Sequence, residues 1–107
     1  VQFVIQRLAS GHTQVSVVRD WCHIMPALAR LIRTEEWVAA NNGRYLPYST
    51  NELARVGKLP DIREWMFHER GWVLLNGSVH HHPAWIPVTK LSVEDIIECV
   101  EKALGEQ

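Results

Sequence analysis

The chain has 107 residues, enough for one hydrophobic core and too few for two, so residues 1–107 are read as a single globular domain. Apolar residues make up 47% and charged residues 21%, proportions that exclude a disordered or fibrous chain. Eleven Lys and Arg against twelve Asp and Glu leave a net charge of −1, with no overall field to gather nucleic acid or an anionic membrane.

No apolar run approaches the roughly 20 residues of a membrane span, and the opening VQFVIQRL lacks the pattern of a signal peptide. The expectation is a cytoplasmic protein without membrane contact. Residues 1–8 (VQFVIQRL) and 14–19 (QVSVVR) are rich in β-branched side chains and flank the turn-forming ASGHT, which predicts a hairpin. Pro26 suits a first helical turn, and Leu28, Leu31, Ile32 and Val38 follow at helical spacing until Gly43, which predicts a helix over 26–41. GRYLPYS then reads as a loop.

Ser49 with Glu52 three residues on is a capping-box pattern, predicting a short helix that carries Leu53 and Val56 and stops at Gly57. A second short helix is expected from Pro60, burying Ile62, Trp65 and Met66 and ending at Gly71. WVLL-NG-SVHH reads as a tight hairpin, because Asn76 and Gly77 tolerate the two positive φ values of a type I′ turn. An extended AWIPV leads to Ser92, whose spacing to Asp95 is again that of a cap, and to an amphipathic helix with Val93, Ile96, Ile97, Val100 and Leu104.

Three groups of residues carry possible chemistry. In GSVHHHPAW the hairpin register places His80 and His82 together on one face and His81, with Trp72, on the other; the pair at i and i+2 is half of a metal site, and no recognised ligand pattern completes it, so no metal or cofactor is expected. Cys22 and His23 lie just ahead of the 26–41 helix, where the helix dipole favours a thiolate. A strand followed by Trp-Cys at a helix start resembles thioredoxin-like proteins, but His23, Ile24 and Met25 follow Cys22 where that family has a second cysteine two residues on, and the family is not carried over. Cys22 is accordingly read as a buried, inert thiol, and Cys99 also as free. Residues 49–82 resemble a helix-turn-helix with a β wing, which implies DNA binding, although Asp61, Glu64 and Glu69 lie in the would-be reading helix.

Of the five tryptophans, Trp85 and Trp21 fall in predicted loops with Tyr48, and Pro83 and Pro87 stiffen the stretch around Trp85, a wall suited to stacking. The expected architecture is α+β: about four antiparallel strands from an N-terminal and a late hairpin, two longer helices on one face and two short central helices. Four strands with so few helices leave a sheet face for water or a second copy, hence an expected homodimer. The leading functional reading is a non-catalytic binding domain that grips a small ligand or protein partner through Trp85, Trp21, Tyr48, His80 and His82. The alternatives are an enzyme built on His80, His82, His23 and Cys22, and a winged-helix DNA binder through residues 49–82.

Overall fold

The computed structural model describes residues 3–42, 44–77 and 85–106. The first hairpin forms as its pattern predicts: β1 (Phe3–Arg7) pairs antiparallel with β2 (Thr13–Val17), five residues against five, with Ile5 opposite Val15. Leu8 donates to the His12 carbonyl and Gly11 to the Leu8 carbonyl, a type I turn closed by a glycine bulge. Gly11 has a φ of +94°, and a Cβ added there would stand 2.8 Å from Cγ1 of Val88, so only glycine fits.

A 3₁₀ segment, Arg19–Ile24, leads into α1 (Met25–Asn41), with Pro26 in its first turn and Asn42 in the left-handed conformation at its end. Gly43, the expected stop, lies outside the described residues. The buried stripe of α1 is Met25, Leu28, Ala29, Ile32, Arg33 and Glu36; Val38, expected among them, is 46% exposed. Two charged residues thus occupy the helix face that meets the core. After α2 (Thr50–Leu53), where Ser49 and Glu52 form the predicted capping box, Gly57 turns the chain at φ +104° into β3 (Gly57–Leu59).

The second short helix does not form. Pro60 and Asp61 instead make the two-residue turn between β3 and β4 (Ile62–Phe67), with Leu59 opposite Ile62. Proline's fixed φ suits the second position of a turn as well as the first turn of a helix, and the β-branched and aromatic side chains of IREWMF settle the choice toward a strand. β5 (Val73–Leu75) then pairs with both β4 and β2, giving a five-stranded antiparallel sheet in the order β1-β2-β5-β4-β3. The class is α+β as expected, with five strands in place of four and one short central α-helix in place of two.

The late hairpin is β4–β5, turned at His68–Gly71, and does not pivot on Asn76-Gly77. Gly77 has a φ of +87° but Asn76 is not in the left-handed region, so the type I′ turn is absent. Ser78 to Ala84, including the expected outgoing strand with its histidines, lie outside the described residues. Finally α3 (Val93–Gly105), capped by Ser92 and Asp95, packs beside α1 on one sheet face. Val15, Leu28, Ile32, Trp65, Phe67, Leu74, Ile96 and Ala103 fill the space between, and each large side chain removed from water there contributes about 1.5–3 kcal/mol. No helix among the described residues is long and apolar enough to cross a membrane.

Candidate binding cleft

Met66 faces Leu75 across the β4–β5 pair, while their neighbours Phe67 and Leu74 point into the core. Successive strand residues alternate sides, so Met66 and Leu75 lie on the sheet face away from α1 and α3. They line a cavity of about 390 Å³ together with Lys58, Leu59, Pro60, Arg63, Gly77, Trp85 and Ile86, a size that suits a small organic ligand. The hydrophobic lining comes from Leu59, Met66, Leu75, Ile86 and Trp85, whose side chain is 71% exposed. The charges are Lys58 and Arg63, and no acidic residue lines the cavity among the described residues.

The wall that carries Trp85 is irregular backbone, and side chains from the body of the protein fasten it. Arg63 Nη2 donates to the Trp85 carbonyl at 2.8 Å. His12 Nε2 lies 2.8 Å from the Ile86 carbonyl, and because a carbonyl only accepts, Nε2 carries the proton; Nδ1 meets the Ser10 hydroxyl at 2.8 Å. Asn76, fully buried, donates from Nδ2 to the carbonyls of Glu64 and Pro87 and accepts at Oδ1 from the amides of Thr13 and Thr89. Its four side-chain bonds use its whole capacity at the place where the sequence suggested a turn.

Glu36 completes the fastening from α1. Its Oε2 accepts from the Lys90 amide at 2.8 Å, and its Oε1 accepts from the Thr89 hydroxyl and, at 2.8 Å, from the indole N–H of Trp65. The Lys90 ammonium in turn sits 3.1 Å from Glu64 Oε2. A buried carboxylate needs several donors to offset its lost hydration, and here two of the three, the Thr89 hydroxyl and the Lys90 amide, belong to the strap itself, while the third is the Trp65 indole of β4. Residues 85–90 are therefore held by His12, Glu36, Arg63 and Asn76, contributed by four separate parts of the chain.

Of the residues selected from sequence, Trp85 is the only one among the described residues that lines this cavity. Tyr48 stands elsewhere: its hydroxyl donates to Asp61 Oδ2 and accepts from the Asp61 amide, tying its loop to the β3–β4 turn beside Leu53, Leu59 and Ile62. Burial raises the Tyr48 phenol above its ordinary range, its bond from the Asp61 backbone opposing. Trp21 packs against the core and stacks on His23 with ring centroids 5.7 Å apart. Cys22 is exposed in the 3₁₀ segment, correcting the buried reading, whereas Cys99 is buried and its thiol is pushed up to about 11 by desolvation. His80 and His82 lie outside the described residues. Among the described residues no three His, Cys, Asp or Glu side chains converge as metal ligands.

The helix-turn-helix outline of residues 49–82 also lacks its second helix, since residues 62–67 are β4. A shallower depression of about 360 Å³ on the β2–β5 side, lined by Ser16, His68, Glu69, Arg70, Trp72 and Val73, has charges of both signs. Lys58, Arg63, Met66 and Leu75 had no signal in sequence, because only the pairing of β4 with β3 and β5 brings them together. Comparison with known proteins gives no match, whether to a protein-family profile, a curated protein or a solved structure.

Proposed function

We propose that the protein is a non-catalytic binding domain whose cleft between β3, β4, β5 and the 85–90 strap takes a small organic anion with a flat apolar body. The observation that carries this reading is the composition of one cavity: an exposed indole and an apolar floor beside two cations, with no lining carboxylate among the described residues. An indole offers a stacking face, Met66 and Leu75 offer contact area, and Arg63, while its Nη2 holds the Trp85 carbonyl, brings a positive charge and its remaining N–H groups to a carboxylate or phosphate. The fastened strap supports the same reading, because a wall ordered before the ligand arrives loses little further entropy on binding.

A thermal-shift screen with aromatic carboxylates and aryl phosphates tests it. A ligand at about a hundred times its dissociation constant stabilises the native state by roughly 2.7 kcal/mol and raises the melting temperature by several degrees. Trp85→Ala is expected to weaken such a ligand at least tenfold, each shift being read against the variant's own ligand-free melting temperature. No shift with any anion of the panel, or shifts that survive Trp85→Ala unchanged, would remove the reading.

A further inference from the structure

The two edges of the sheet are built differently. β3 is three residues long, has an irregular register with β4 and ends at Pro60, features that discourage pairing with another strand. β1 has none of these. It runs Phe3-Val4-Ile5-Gln6-Arg7 without proline, glycine or bulge, and its one charge stands at its end.

The hydrogen-bond alternation says which backbone groups of β1 look outward. Leu8 bonds with His12, so Gln6 and Val4 are the β1 residues that bond to β2, opposite Gln14 and Ser16. The other side of β2 agrees: Thr13 accepts from the Asn76 amide, and Val17 donates to the Trp72 carbonyl. The amides and carbonyls of Phe3, Ile5 and Arg7 therefore face the outer edge, on which no strand pairs among the described residues. The side chains of Phe3 and Ile5 reach the core but are only partly covered, and Val4 and Leu8 are 49% and 54% exposed.

The geometry points to β1 as the surface through which two copies of this chain associate, edge to edge and antiparallel, into a continuous ten-stranded sheet. A two-fold axis at Ile5 sets Ile5 against its own copy, Phe3 against Arg7 and Val4 against Gln6, so each outward amide meets an outward carbonyl. Charge selects this arrangement. Arg7 is the strand's only ionic group, and antiparallel pairing keeps the two copies of it at opposite ends. The residue is exposed, but its guanidinium is drawn across β2, to Thr13 Oγ1 at 2.9 Å and the Leu91 carbonyl at 2.6 Å, and so away from the outer edge. A strand of five residues makes a small interface, which implies a concentration-dependent dimer in place of a permanent one.

Amide hydrogen exchange by NMR and sedimentation velocity over a hundredfold range of protein concentration test this on the unaltered chain. The amides of Val4 and Gln6, bonded to β2, are expected to be protected at every concentration, and those of Ile5 and Arg7 to gain protection as the dimer forms. Val4→Lys places like charges diagonally across the axis, and Ile5→Pro deletes an outward N–H that β2 does not use; each is expected to weaken dimerisation at least tenfold. A monomer throughout, with fast exchange at Ile5 and Arg7, overturns the inference, and so does a dimer whose dissociation constant Val4→Lys leaves unchanged. Should Ile5→Pro unfold, the unaltered chain and Val4→Lys still decide the matter.

Discussion

Arg33 shows what a single side chain can do in this interior. Its guanidinium is fully buried on α1 and donates to three backbone carbonyls, those of Leu53 and Arg55 from Nη1 and that of Gly57 from Nη2, at 2.7–2.8 Å. No carboxylate pairs with it among the described residues, Nε has no partner, and burial lowers its pKa to about 10. The residue thus supplies the backbone partners that the irregular turn between α2 and β3 cannot supply for itself. Arg33→Met would leave three carbonyls without this donor, that of Leu53 buried and those of Arg55 and Gly57 partly so, and the expected cost is about 2–3 kcal/mol, read as a lower urea midpoint at an unchanged slope. Arg33→Lys is expected to recover only part of it, since one ammonium cannot span the same fork. A loss below about 1 kcal/mol in Arg33→Met would show that water or a local shift serves those carbonyls equally well.

At the level of elements, local signals survive folding and ambiguous ones are decided from a distance. Both capping boxes appear where the sequence placed them, because Ser49 with Glu52 and Ser92 with Asp95 need only three residues to close. The Ser92 backbone amide, followed by its side chain, holds the Asp95 carboxyl below its usual range. A depressed carboxyl contributes stability above its unfolded pKa, near 3.9, and loses it as pH falls through the folded value. Asp95→Asn is therefore expected to cost roughly 0.5–1 kcal/mol at pH 7, with the gap to the parent closing below about pH 4 in urea titrations. A gap constant from pH 7 to 3 would show that the ionised carboxylate plays no part.

β4 shows why the remainder was harder to read. Its burial does not simply alternate: Glu64 and Trp65 are adjacent and both buried, one beside Lys90 and the other bonded to Glu36. Those partners lie 26 and 29 residues away, so the run IREWMF offered helical spacing as readily as a strand's. The cleft follows the same logic. Trp85 was legible because an aromatic between prolines announces a stiff exposed wall, whereas Lys58, Arg63 and Met66 acquire meaning only when β3, β4 and β5 align.

Across the whole molecule, the polar interior gathers where the chain makes its long-range joins. Asn76 connects the amides of Thr13 and Thr89 with the carbonyls of Glu64 and Pro87, joining β2, β4 and the strap through one amide group. Asn76→Ala would strand several of these groups in the interior, and each unsatisfied one costs about 1–3 kcal/mol. Against a typical total of about 5–15 kcal/mol, the expected result is a protein largely unfolded at 37 °C, seen as loss of tertiary circular dichroism with a collapsed thermal transition. A cooperative transition within 5 °C of the parent would show that the joins hold without it.

The strap has one further implication, for timing. A wall tied at successive backbone positions to His12, Glu36, Arg63 and Asn76 does not swing as a lid does. For a ligand of the proposed cleft, exchange past that wall would then need no gating step, its speed being set by diffusion inward and by the grip of the contacts on the way out.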